Sequence, residues 1–265
     1  MLGRRDSVSY VVVKIGGSTL TSNDTTLQDL VTLHKKGARP IVIHGGGNLV
    51  SDWMKQQGIS PTFVGGLRVT DTYSLDLVTA VLSGLINKKL IAALSAMGVP
   101  AVGLCGVDGC ILQANISDPA LGMVGDISVV KTTLLEELVE AGYIPLVAPI
   151  GILRKDDGLL ENQLLNINGD TAAGAIANAL SAQALVFLTD VEGVLDTSGR
   201  LLRRINKQEA RNLIESGTAS GGMIPKLEAA IKALEQVSMA YIVDASKPHA
   251  LLKAINHEAL GTRID

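Results

Sequence analysis

Aromatic side chains are scarce in this 265-residue chain: two Phe, four Tyr and one Trp make up 3% of it. That scarcity excludes a surface of aromatic rings on which nucleobases stack. Excess basic charge is missing as well. Lys and Arg number 23 against 26 Asp and Glu, a net charge of −3, so no overall cationic field tracks a phosphate backbone. Nucleic acid is therefore not an expected partner. Only two cysteines occur, Cys105 and Cys110, at a spacing that fits neither a zinc set nor a redox pair. They read as small buried hydrophobes of a reduced, cytoplasmic protein. Long hydrophobic runs are lacking too. The longest apolar stretch, near Tyr143 to Leu153, carries Pro and Gly and falls short of the roughly 20 residues that span a bilayer. No apolar run of signal-sequence type follows the charged N-terminus, and no membrane association is expected.

What the chain has instead is aliphatic residues and 28 glycines, with 47% hydrophobic and 18% charged residues, enough for a sizeable core. Short apolar runs bounded by Gly or Pro alternate with longer amphipathic stretches. Strands are predicted at Val8 to Ile15, Pro40 to His44, Pro100 to Leu104, Ile144 to Ala148, Ala184 to Leu188 and Ala240 to Val243. Helices are predicted at Asp24 to Lys36 with Ser22 or Asn23 as cap, and from the triple glycine to about Gln57. Two more cover Leu75 to Gly84 and Leu85 to Met97. The rest run over Thr132 to Ala141, Asp170 to Leu180, Lys207 to Glu215, Ile224 to Gln236 and His249 to Asn256. The segment Gly109 to Val130 reads as short hairpins laid on a sheet. This alternation predicts an α/β fold with a mostly parallel sheet covered on both faces. No linker divides it into independent domains, though a seam near residues 160–170 suggests two lobes.

Four segments place flexible backbone or a charge at a strand end. In Lys14-Ile15-Gly16-Gly17-Ser18, turn N–H groups and a lysine suit an anion, with an ordinary turn as the alternative. His44-Gly45-Gly46-Gly47 allows close backbone approach to an anion. It is not a dinucleotide fingerprint, because Val50 replaces the third glycine, and no GxxxxGK[ST] loop occurs anywhere. It matches the oxyanion loop of a lipase-type esterase, yet the required GxSxG elbow is missing. His44 itself reads as a structural residue in preference to a base. Arg68, in Gly65-Gly66-Leu67-Arg68-Val69-Thr70, suits capture of a carboxylate, with a surface salt bridge as the alternative. In the second half, Asn166-Ile167-Asn168-Gly169-Asp170 opens a helix. Gly221-Gly222-Met223-Ile224-Pro225-Lys226 repeats the pairing of glycines with a lysine, as if a polyanion were held from both sides.

Taken in order and at these spacings, KIGG, HGGG, GLRVT, NINGD, LTDVEGVL and GGMIPK resemble the amino-acid kinase superfamily and, within it, the acetylglutamate kinase family of arginine biosynthesis. The match runs from about Val11 to Ile264. The resemblance implies a three-layer α/β/α sandwich forming one domain over residues 8–265. A lobe of about 8–168 would bind N-acetyl-L-glutamate and form a homodimer, and one of about 169–265 would bind ATP with Mg²⁺. The implied reaction moves the γ-phosphoryl group to the side-chain carboxylate. Lys14 and Lys226 would stabilise the transition state and Asp170 would orient both. Gly46 and Gly47 would contact the substrate, Arg68 would hold its α-carboxylate and Asn166 its acetamido end. The nucleotide would lie against Gly16 and Gly17, against Asp190, Val191, Glu192, Gly193, Val194 and Leu195, and against Thr218, Ala219, Ser220, Gly222 and Met223. No side chain is assigned as a metal ligand. Arginine-inhibited members of the family carry an extra N-terminal helix and a GxGT signature. Only 13 residues precede Lys14 here and that signature is absent, so indifference to arginine is expected. The alternative within the superfamily is a kinase for carrier-protein-linked aminoadipate in lysine biosynthesis.

Overall fold

The computed structural model describes residues 9–16 and 24–265. Strand β1 (Tyr10–Ile15) is followed by α1 (Thr26–Lys35), β2 (Arg39–His44), α2 (Gly47–Gln56) and a two-stranded hairpin, β3 (Phe63–Val64) and β4 (Leu67–Arg68). Next come α3 (Thr72–Thr79), a π-helical segment (Ala80–Ile86), α4 (Asn87–Ala96) and β5 (Ala101–Cys105). The middle of the chain forms β6 (Leu112–Ile116), β7 (Val124–Val130), α5 (Thr133–Glu140), β8 (Ile144–Ala148), β9 (Ile150–Arg154) and β10 (Leu160–Ile167). The remainder is α6 (Gly169–Ala179), β11 (Ala184–Thr189), β12 (Arg204–Ile205), α7 (Lys207–Glu215), α8 (Met223–Ala233), β13 (Met239–Asp244), α9 (Ala250–Ile255) and β14 (Thr262–Ile264).

Eight strands make one sheet in the order β12-β14-β13-β11-β1-β2-β8-β5. Its central strands are parallel, and the edge pair β14 and β12 runs the opposite way, β14 antiparallel to β13 and parallel to β12. Both faces are covered, which is why Val11, Val12 and Val13 are all buried: successive side chains point to opposite faces. Val12, Ile41, Ile43, Leu185 and Phe187 pack with α5, α6 and α8. Val11, Val13, Val42, Val186 and Val243 pack with α1, α4 and α9. The result is the expected three-layer α/β/α sandwich.

Three differences from the sequence reading have physical causes. The predicted helices either side of Gly84 are one helix, Thr72–Ala96, because the π-helical turns absorb Gly84 instead of ending at it. Among the described residues this 25-residue helix alone is long and apolar enough to cross a membrane, exceeding the stretch near Tyr143. Here Leu75, Val78, Leu82, Leu90 and Leu94 are buried in the protein core instead. Second, β6 and β7 do not lie on the sheet as a simple hairpin. They close with β9 and β10 into a separate four-stranded unit around Leu112, Ala114, Leu165 and Ile167. The pattern for β10 is masked by Glu161, Asn162 and Gln163, so its existence depends on pairing with its neighbour β9 and with β7 about forty residues earlier. Third, β14 is only three residues long and is held by β13 and β12.

Candidate active site

The C-terminal ends of the parallel strands form one edge, and the candidate residues gather there around β1. Lys14 is next to last in β1 and shares the face of Val12, so its side chain runs toward α6. There Asp170, in the first turn of α6, meets it at 2.9 Å. Asn168 caps that helix by accepting from the N–H groups of Asp170 and Thr171 at 2.9 and 3.0 Å, which sets the carboxylate at the sheet edge. Lys226, in the first turn of α8, meets the other oxygen at 3.0 Å and also donates to the Gly222 carbonyl at 3.1 Å. Burial pushes the Asp170 carboxyl toward the neutral form, but the two ammonium groups outweigh it and hold its pKa below the usual range. Asp170 is therefore an ionised carboxylate bridging the two lysines. It can form because α6 and α8 touch at Gly174, where a Cβ would stand 2.7 Å from the Ala229 carbonyl oxygen.

Beside the triad lies a cavity of about 220 Å³. Lys14, Gly46, Gly47, Arg68, Asn166 and Asp170 all line it. The structure thus brings six of the sequence-predicted residues to one space, with Lys226 joined through Asp170. Arg68, at the end of the β3–β4 hairpin, is only 8% exposed. Its guanidinium donates to the Gly47 carbonyl and the Ser51 hydroxyl, both at 2.8 Å, reaches Met54 Sδ at 3.2 Å, and sits 4.7 Å above the Phe63 ring. Burial lowers its pKa from the ordinary arginine value. Among the described residues it has no carboxylate partner. Asn166 donates to Thr70 Oγ1 at 3.1 Å. Of Lys14, Lys226, Arg68 and Asp170, three are cationic and one anionic, so the site carries an excess of two positive charges.

Other expected residues lie elsewhere. Gly16 follows β1 and donates to the Leu188 carbonyl at 3.2 Å, while Gly17, like Val8, Ser22 and Asn23, lies outside the described residues. The loop 190–195 leaves the end of β11, next to β1, without lining the cavity. In it Asp190, Val191, Glu192 and Leu195 are exposed, whereas Val194 is buried, its N–H bound to Thr262 Oγ1 at 2.8 Å. Gly193 is likewise buried. The segment 218–223 precedes and begins α8. Ala219 is buried there with its N–H on the Leu213 carbonyl, Thr218 pairs with Ser216, and Ser220 and Gly222 are exposed beside half-buried Met223. The two halves approach at Gly66, where a Cβ would be 4.0 Å from the Gly221 carbonyl oxygen.

Sequence reasoning missed the groups that aim the site: Ser51, Met54 and Phe63 around Arg68, Thr70 beside Asn166, and Asn87 beside His44. Ser51 was legible in part, since it stands four residues after Gly47 on the same helix face. His44 is a structural residue as expected: it is 1% exposed, and burial, with a smaller push from Lys88, lowers its pKa to about 4. No group of three His, Cys, Asp or Glu side chains suited to a metal ion exists among the described residues.

A parallel-sheet edge carrying glycine loops and a lysine–aspartate–lysine bridge defines a class of protein that handles small anions. The chain belongs to the amino acid kinase family, whose model matches residues 9–244. Several curated relatives of this chain carry the name acetylglutamate kinase. It is 44% identical over 260 residues to the acetylglutamate kinase of Dehalococcoides mccartyi (strain BAV1), covering 98% of this chain and 96% of the relative. Among solved structures it is similar to smu.665 from Streptococcus mutans UA159, at 30% identity and a TM-score of 0.82, covering 96% and 98% of the two chains. Carbamate kinase from Giardia lamblia bound to AMP-PNP has a TM-score of 0.71 at 18% identity, covers 97% and 98%, and shares the fold.

Proposed function

We propose that this protein transfers the γ-phosphoryl group of ATP to the side-chain carboxylate of N-acetyl-L-glutamate, giving N-acetyl-L-glutamyl 5-phosphate. The observation that carries the reading is Arg68, a buried cation without a carboxylate partner among the described residues, in the same cavity as Lys14 and Asp170. A buried unpaired charge is costly, and the α-carboxylate of the substrate would complete it. Asn166 then faces the acetamido end, and Gly46 and Gly47 face the reacting carboxylate.

The acceptor is already ionised at neutral pH, so no proton has to be removed and no general base is needed. A carboxylate oxygen forms the new P–O bond as the bond from the γ-phosphorus to the β–γ bridging oxygen breaks, and ADP leaves with the electron pair. What the protein supplies is positioning of two anions that repel and neutralisation of charge spreading over the transferred group. Lys14 and Lys226, each held by one oxygen of Asp170, would supply that neutralisation. The ATP-binding side is assigned to residues 169–265, with Gly16, the 190–195 loop and the 218–223 segment about the nucleotide, and the substrate side to about 8–168. Mg²⁺ is assigned to the ATP phosphates, where it would supply further charge neutralisation when bound.

The test is ADP release and hydroxamate formation with N-acetylglutamate, glutamate, aspartate and aminoadipate side by side. Turnover of the acetylated substrate is expected. Activity on free glutamate alone, or on aminoadipate in preference, overturns the substrate assignment. The homodimer and the indifference to arginine belong to the same proposal. A hexamer by light scattering, or loss of activity in millimolar arginine, contradicts them.

A further inference from the structure

One buried titratable group in the site has no part in the transfer described so far. His44 ends β2 directly before the glycine loop, and its two ring nitrogens have different partners. Nδ1 lies 3.1 Å from the Gly45 carbonyl oxygen and Nε2 lies 3.1 Å from Asn87 Nδ2. The surroundings of Asn87 fix which groups donate. Its Nδ2 also faces the carbonyl oxygens of Leu146 at 3.0 Å and Leu104 at 3.2 Å, while its Oδ1 accepts from Lys88 Nζ at 3.0 Å. Nδ2 has two protons for three facing acceptors and shares them, and as an amide nitrogen it cannot accept from an Nε2–H; Nε2 is therefore the unprotonated ring nitrogen, and the single imidazole proton sits on Nδ1, facing the Gly45 carbonyl. The low pKa of His44 agrees with a neutral ring.

The consequence falls on the next peptide unit. In a trans peptide the C=O and the following N–H point in opposite directions. The Gly45 carbonyl is held on the histidine side, so the Gly46 N–H is turned away from His44, while the Gly45 N–H is separately tied to the Ile15 carbonyl at 2.8 Å. The Gly46 carbonyl is occupied by the Val50 N–H at 3.0 Å, whereas its own N–H takes no partner among the described residues. The π-helical segment presses on the same spot: a Cβ at Gly46 would lie 2.0 Å from Ile86 Cδ1 and 2.9 Å from Leu82 Cδ2. Asn87 is the first residue after that segment. The irregular helix thus delivers both the contact that seats Gly46 and the amide that locks His44.

We infer that His44 and Asn87 form a positioning pair which holds the Gly45–Gly46 peptide with the Gly46 N–H aimed at the anions in the cavity. Neither side chain touches substrate; both act through the backbone. The inference rests on the phosphoryl-transfer reading above, and it makes Gly46 a donor fixed in place before substrate arrives.

Two measurements test it. Nitrogen–proton NMR of the wild-type protein, with the His44 signal identified by its loss in His44→Asn, should show the proton on Nδ1 at neutral pH. The proton on Nε2, or a ring that titrates like free histidine, overturns the inference whatever the enzyme's substrate. In the kinase assay, His44→Leu should lower kcat by about 10²-fold, the loss typical of one misdirected oxyanion donor, with KM for both substrates close to wild type. His44→Asn, which keeps a donor near the Nδ1 position, should recover most of that loss. Asn87→Asp, which accepts where Asn87 donates, should move the proton to Nε2 and lower kcat as well. A rise in KM with kcat intact, or no recovery in a folded His44→Asn, counts against the pair. Absence of wild-type turnover on N-acetylglutamate would instead strike the substrate assignment and leave the tautomer result standing.

Discussion

Replacing Asp170 with Asn keeps the shape of the side chain and removes the one negative charge between Lys14 and Lys226. The two contacts are 2.9 and 3.0 Å, and the three side chains are 7–12% exposed, so water screens them weakly. At an effective dielectric constant of about 20, each contact carries about 5 kcal/mol of attraction before desolvation is subtracted. After that subtraction, removing one partner of a buried ion pair costs about 3–5 kcal/mol, and urea unfolding of Asp170→Asn should show a loss of this size. Two uncompensated lysines then await an anion. Saturating ATP should restore more stability to the variant than it adds to wild type, while kcat falls about 10²–10³-fold because the lysines are no longer held toward the transferred group. The acid limb supplies the sign check. The native pKa of Asp170 is held below the usual 3.8, so its contribution is whole above that pH and is lost as pH falls through the native value. The gap between the two proteins should therefore close on strong acidification. Wild-type urea stability in Asp170→Asn, or wild-type kcat, would refute the argument that this carboxylate organises both lysines.

Three further outcomes are expected. Gly174→Ala places a methyl 2.7 Å from the Ala229 carbonyl oxygen and 3.0 Å from Ala229 Cβ. It should force α6 from α8, cost about 1–3 kcal/mol in urea unfolding, and lower kcat about 10–10²-fold by lengthening the Asp170–Lys226 contact. Arg68→Lys cannot reproduce the planar set of donors to Gly47 and Ser51, and steady-state kinetics should show KM for N-acetylglutamate raised about 10–10²-fold with a smaller change in kcat. His44, with a native pKa of about 4 against 6.5 for the free side chain, binds its proton more readily when unfolded. Wild type should thus lose on the order of 3 kcal/mol as pH falls from 6.5 toward 4, a slope that His44→Asn lacks in urea unfolding followed across that range.

The local order of the chain determined a large part of this protein. The aliphatic runs that make β1, β2, β8 and β11 are hydrophobic without alternation, and only a sheet covered on both faces buries such strands. The paired glycines and the lysines at strand and helix ends were visible as anion-binding signals because those signals are short and local. Tertiary structure decided the rest. Lys14, Asp170 and Lys226 are separated by more than fifty residues at each step, and their meeting depends on α6 crossing behind β1 and touching α8 at Gly174. The groups that aim Arg68, Asn166 and His44 come from α2, β3, the residues after β4, and α4, and no spacing rule links residues 44 and 87. Even the continuity of the helix through Gly84 is a matter of packing, since its intrinsic tendency there is to break and the buried contacts of Leu82 and Ile86 override it. Short-range chemistry is written in neighbouring residues, whereas long-range alignment exists only after the chain has paid the entropy of closing those loops.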